Sequence, residues 1–212
     1  MQNPWLELPS AAPYILGIDI ESVSRHSEIN RQTLPEPFIG NPKTARLVLL
    51  SLNPGDSDDD IKAHSDVEFR KAIISNLRQE SQEYPFYGLN PKFNWTACGR
   101  WWRAHVKELI EILGSKKVAE HLLVIEWFPY HSKRWKRLPT REVCPSQNYS
   151  FQHVKEMLDK KAVIVGMRSK MYWLEVDPRV ASVPFLKNPQ NPCVSKKNCG
   201  EELFAQIVEA LR

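Results

Sequence analysis

The chain reads as an α/β protein, a three-layer α/β/α sandwich around a central, mainly parallel four-stranded sheet. Three observations predict this. Four short apolar segments rich in β-branched residues have the continuous hydrophobicity of strands buried on both faces: "RLVLLSL" (46–52), "HLLVIEWF" (121–128), "AVIVGM" (162–167) and "VASVPFL" (180–186). Amphipathic helical patterns fall between and after them, and strand–helix alternation implies βαβ units and parallel pairing. At 212 residues, with 42% hydrophobic and 25% charged residues, the chain is long enough to bury one substantial core.

The elements follow in order. Residues 1–45 are rich in proline (Pro4, Pro9, Pro13, Pro35, Pro37, Pro42) and read as an arm packed on the core, with one helix over 19–32. Residues 46–212 form the α/β domain. A helix is expected in "IKAHSDVEFRKAIISNL", with the acids Asp56 to Asp60 favouring its start through the helix dipole. "RWWRAHVKELIEIL" places Val106, Leu109, Ile110 and Leu113 on one face, and "SFQHVKEMLDKK" does the same with Phe151, Val154, Met157 and Leu158. Trp101 and Trp102 are expected in the core or at its rim. The terminal "EELFAQIVEALR" repeats the pattern, with Asn198 as its expected cap.

The N-terminus "MQNPWLELPS" carries no export signal, and no apolar run is long enough to span a membrane. A cytoplasmic, monomeric protein is expected. Cys98, Cys144, Cys193 and Cys199 are scattered, without a CxxC pair, and read as reduced thiols. The net charge of +4 is mild, but "HSKRWKR" (131–137) concentrates four cations, and Lys196 and Lys197 form a second cluster.

Ligand crevices of such sheets open beyond the carboxyl ends of the strands. The first strand is followed by Asn53-Pro54-Gly55, the second by Glu126 and the run to Ser132, the third by Arg168, and the fourth by "KNPQNPCVSKKN" (187–198). Taken singly, these are turn chemistry. Jointly they resemble the uracil-DNA glycosylase superfamily, over residues from about 45 to the C-terminus. "LLSLNPG" is similar to that superfamily's first motif in its Asn-Pro-Gly form. "NPQNPCVSKKN" is similar to the second motif, and "HLLVIE" falls where a middle strand delivers a base-reading side chain.

The resemblance implies a uracil-DNA-glycosylase-like fold and a set of roles. Asn53 would hold the attacking water, on a loop stiffened by Pro54. Asn188, or Asn191 in the other register, would bond the departing base's O2. Gln190 and its neighbours would lie at the DNA groove. Phe86, Tyr87 or Phe93 would stack on a flipped base. His131, Lys133, Arg134, Lys136, Arg137, Arg168, Lys196 and Lys197 would contact DNA.

Two departures matter. Gly55 stands where the strict uracil enzymes have a bulky Tyr, which opens space beside C5 of a pyrimidine. Glu126 stands where Asn is usual, and a carboxyl suits cytosine's N4 amino group. The expected function is a monofunctional glycosylase acting on DNA, single- or double-stranded, with a C5-modified (hydroxymethylated or glycosylated) cytosine as substrate, in repair or antiviral defence. The alternatives are a uracil or mismatch glycosylase, a non-catalytic nucleic-acid-binding module, and a metal-dependent phosphodiesterase using Asp56 to Asp60. No cofactor is expected, an iron–sulfur cluster included, and no metal. Lys187 is the only local amine for a lyase step.

Overall fold

The computed structural model describes residues 1–24, 26, 28–134, 143–160 and 162–212. It is an α/β protein. Strands β1 (Phe38–Ile39), β2 (Leu47–Leu50), β3 (Leu122–Ile125) and β4 (Val163–Gly166) form one sheet in the order β1-β3-β2-β4. β2 pairs in parallel with β3 and β4, while β1 runs antiparallel to β3, so the sheet is mixed. Every residue of β2 and β3 is buried, which explains their uninterrupted apolar sequence.

The helices are α1 (Ile20–Val23), α2 (Asp58–Ser65), α3 (Val67–Leu77), α4 (Ala97–His105), α5 (Lys107–Leu113), α6 (Ser115–His121), α7 (Gln147–Asp159), α8 (Lys170–Val176), α9 (Lys196–Cys199) and α10 (Glu201–Leu211). The arrangement is consistent with a three-layer sandwich. No helix among the described residues is long and apolar enough to cross a membrane.

Four expectations are corrected. The fourth strand is not 180–186. Pro178–Ser182 is a 3-10 turn whose N-cap, Asp177, accepts from the Arg179 amide. Beyond it the chain touches the sheet at one parallel bridge, Gly166 to Phe185, because Pro184 has no N–H with which to extend a ladder. The fourth strand is Phe38–Ile39, from the arm. The helix expected over 19–32 ends at Val23, and Ile29 is extended and bridges antiparallel to Ser132.

The 61–77 pattern is two helices, because Asp66 adopts an extended conformation and accepts from the Phe69 amide at 2.8 Å as the cap of α3. Ser57 caps α2, whose first turn holds Asp58, Asp59 and Asp60. Finally, Asn198 does not cap the terminal helix. Its Oδ1 accepts from the Asn188 amide at 2.7 Å, and its Nδ2 donates to the carbonyls of Asn191 (3.1 Å) and Cys193 (2.9 Å).

The arm shares the core, contributing Trp5, Tyr14, Leu16 and Leu34 to the same buried cluster as the strands. Its junction with the sheet depends on Gly40, which has φ +113° and whose missing Cβ would lie 2.2 Å from the Leu122 carbonyl oxygen. Gly40→Ala is therefore expected to destabilise the protein by roughly 2 kcal/mol or more, from backbone strain and overpacking together. Chemical denaturation of the two proteins checks this.

Candidate active site

The strand ends, the arm and the start of α4 enclose a cleft of about 550 Å³. β2 delivers Ser51, Leu52 and the Asn53-Pro54-Gly55 loop to it; β3 delivers Glu126; and β4 is followed by Arg168. The arm supplies Glu36 and Ile39, α4 supplies Ala97, Cys98, Trp101 and Trp102, and the chain after β3 supplies His131, Ser132 and Lys133.

Asn53 is half-buried. Its Nδ2 donates to its neighbour's carbonyl, Pro54 O, and to Ser132 Oγ, both at 2.9 Å. With both amide protons engaged, Oδ1 is the atom left to accept from a bound water. Pro54 is buried and Gly55 exposed, and a Cβ on Gly55 would meet nothing within 4 Å.

Glu126 is 6% exposed, and its Oε2 has no hydrogen-bond partner among the described residues. Burial pushes its pKa up to about 7, against the opposing influence of a hydrogen bond from Ser51 and the charge of Arg168. The Arg168 Nε is likewise buried without a partner among the described residues. A carboxyl oxygen and a guanidinium nitrogen without partners among the described residues, on two residues that line one cleft, are groups a polar ligand could satisfy. Asp60, also on the wall, has its pKa raised by burial, although Ser57 donates to it at 2.6 Å.

No family model, curated protein or solved structure matches the chain. The site is therefore read from its own chemistry.

Several expected roles do not fit where their residues lie. Phe86, Tyr87 and Phe93 are buried in the core and line no part of the cleft. Phe86 packs edge-on against Trp102, while Tyr87 and Phe93 pack against Phe69. The aromatic wall is Trp101 and Trp102 instead. Trp101 is stacked on His105 at 3.7 Å between centroids, which fixes the plane of its ring. Asn188, Gln190 and Asn191 are exposed and do not line the cleft. Asn188 Oδ1 folds back to accept from the amides of Gln190 (3.1 Å) and Asn191 (3.3 Å), so it serves its own loop. That loop is linked to the helix bearing Trp101 by the Val194 amide, bonded to His105 O at 2.7 Å.

His131 is not a surface cation; it is 2% exposed. Lys133 and Arg134 are exposed, with Lys133 on the cleft and its Nζ 4.0 Å from Asp58, and Lys196 and Lys197 are exposed on α9. Lys136 and Arg137 lie outside the described residues.

The residue that sequence reasoning missed is Glu36. It is 5% exposed, accepts from Tyr87 Oη, and lies 3.1 Å from His131 Nε2. The only signal for it was an acid fixed between two prolines in "LPEPF". Burial disfavours charge on both partners, yet each stabilises the other's charge. The pKa of Glu36 is held down and that of His131 is held up.

Donor atoms of Glu36, His64 and His131 lie within 4.8 Å of one another, a spacing a metal could use. The tautomers argue otherwise. His64 Nδ1 accepts from the Leu34 amide at 2.9 Å, so the neutral ring carries its proton on Nε2 and offers no second lone pair. Burial, with the positive charge of His131, pushes the His64 pKa down to about 3. The trio is an ion pair with a neutral imidazole packed edge-on against it.

Proposed function

We propose that this protein is a DNA glycosylase of uracil-DNA-glycosylase-like fold that hydrolyses the N-glycosidic bond of a flipped pyrimidine, a C5-substituted cytosine above all, in DNA repair or antiviral defence. One observation carries the reading. Asn53, whose Oδ1 is left to accept, and Glu126, whose carboxyl is protonatable and whose Oε2 has no partner among the described residues, follow two adjacent parallel strands and line one cleft.

In this reading the target base stacks on Trp101. Glu126 in its acid form donates to cytosine N3 and accepts from N4–H, and Arg168 donates to O2. The C1′–N1 bond breaks as N3 takes the proton of Glu126. A water held by Asn53 Oδ1 adds to C1′, and the proton it sheds restores the acid. The open space at Gly55 leaves room for a C5 substituent. Asn188 and Asn191 take no part in this scheme.

The neutral carboxyl also favours a second reading. Its O–H can donate to uracil O4 while its carbonyl accepts from N3–H, so protonated Glu126 reads uracil as well as an amide would. Base release from oligonucleotides bearing uracil, mismatched thymine, cytosine, and hydroxymethylated or glucosylated cytosine separates the two. Release confined to C5-substituted cytosine supports the main reading. Preferential uracil release replaces it with the second, and release of none overturns both.

The exposed cations are assigned to phosphate contact. Lys133→Ala and Arg134→Ala are each expected to weaken oligonucleotide binding evenly across sequences and to lower the salt-dependence slope by about 1. Fluorescence anisotropy over a salt series measures both effects.

A further inference from the structure

Glu36 and His131 are buried, charged and on the wall of the cleft, yet the reaction outlined above uses neither. Their contacts run instead to the loop that carries Asn53. His131 Nδ1 donates to Gly55 O. The Ser132 amide donates to Pro54 O at 3.3 Å, and Ser132 Oγ accepts from Asn53 Nδ2 at 2.9 Å. Three consecutive residues of the loop are thus held by two consecutive residues of the segment after β3.

That segment is anchored in turn by the arm. The Glu36 amide donates to Pro129 O at 3.0 Å, the Asn30 amide donates to His131 O at 2.9 Å, and the Glu36 carboxylate meets His131 Nε2. Tyr87 fixes the carboxylate from behind. We propose that Glu36 and His131 are positioning residues for the Asn53-Pro54-Gly55 loop, so that the N-terminal arm completes the site by holding its water-binding residue in place through His131.

Each partner's charge favours the other's, so the pair is held ionised. With the Nδ1 proton committed to Gly55 O, only an imidazolium carries a proton on Nε2, which lies 3.1 Å from the carboxylate as an ion pair outside hydrogen-bond geometry. The groups facing His131 are Glu36 from the arm, His64 and Asp60 from α2, and Glu126 at the end of β3. His64 brings no second positive charge to Glu36, because its Nδ1 accepts from the Leu34 amide and the ring stays neutral. Deprotonation of His131 removes its ion pair with Glu36 and loosens the hold on the loop.

The catalytic consequence rests on the glycosylase reading, whereas the structural link does not. Two sets of measurements keep them apart. In Glu36→Leu, which can neither accept from nor donate to His131, single-turnover base release from the oligonucleotide that the parent processes best is expected to fall by about 100-fold. Binding of that oligonucleotide is expected to be unchanged, and Tyr87→Phe, which leaves the ion pair in place, to stay much closer to the parent.

By NMR, the Asn53 side-chain amide and the Ser132 backbone amide of Glu36→Leu are expected to exchange faster with solvent. In the parent, His131 is expected to remain an imidazolium at about pH 7, above the ordinary histidine midpoint. That titration needs no variant to fold. If the parent releases no base from any oligonucleotide, the glycosylase reading falls, and exchange and titration still decide the link. A neutral His131 at about pH 7, or unchanged exchange at Asn53 and Ser132 in Glu36→Leu, overturns the proposal. So does full base release by that variant.

Discussion

Asn53→Ala is expected to slow base release by about 100-fold or more while leaving oligonucleotide affinity nearly unchanged. The asymmetry follows from what Asn53 touches. Its amide protons hold Pro54 O and Ser132 Oγ, so the side chain is fixed by the protein and Oδ1 is left to accept. Alanine removes the one fixed acceptor for the attacking water but none of the surfaces assigned to DNA. Single-turnover kinetics alongside anisotropy check the two halves of the prediction. Equal losses in rate and affinity would mean that Asn53 binds the substrate rather than the water.

Glu126→Gln carries the second large effect, and it has opposite signs for activity and stability. As a general acid, Glu126 is active in its protonated form, so the parent's rate is expected to fall as the pH rises through about 7. Glutamine has no proton to give, and its rate is expected to be lower by about 100-fold or more, with that inflection gone.

Stability runs the other way. The folded-state pKa of about 7 lies above the ordinary 4.5, so the folded chain holds the extra proton between those values. Stability from this group is complete below the unfolded-state value and is lost as the pH rises toward 7, at a cost of about 3 kcal/mol once both states are ionised. A neutral glutamine escapes that cost. Glu126→Gln is therefore expected to melt above the parent at about pH 8 and close to it at about pH 5. A variant that is less stable at both values would show that Glu126 is held as a carboxylate by a partner.

What could be read from the sequence, and what could not, divides along physical lines. β2, β3 and β4 were legible because a strand buried on both faces has a continuous apolar sequence that little else produces. β1 was not, since two residues between Pro37 and Gly40 carry no periodicity. That Asn53, Glu126 and Arg168 line one cleft was legible because the ends of parallel strands open on a crevice whatever the details of packing.

Side-chain direction was the harder matter. Phe86, Tyr87 and Phe93 have the same composition as a stacking wall, but their rings pack against Trp102 and Phe69 in the core. The wall itself comes from Trp101 and Trp102, on a helix that local sequence could place only in the core or at its rim. That Asn188 and Asn191 lie outside the cleft was not legible, because their placement depends on the side chain of Asn198, which holds their loop. Glu36 is separated by about 90 residues from the Glu126 and His131 it faces, and no local pattern joins them.

The most direct test of the account is the product formed from a duplex oligonucleotide carrying one C5-substituted cytosine, incubated with the parent protein at about pH 6 in the presence of a chelator. The account predicts a free modified base and an intact strand bearing an abasic site that breaks only on later treatment with alkali. Strands left unchanged for every pyrimidine tried, or direct strand cleavage that the chelator abolishes, would contradict it.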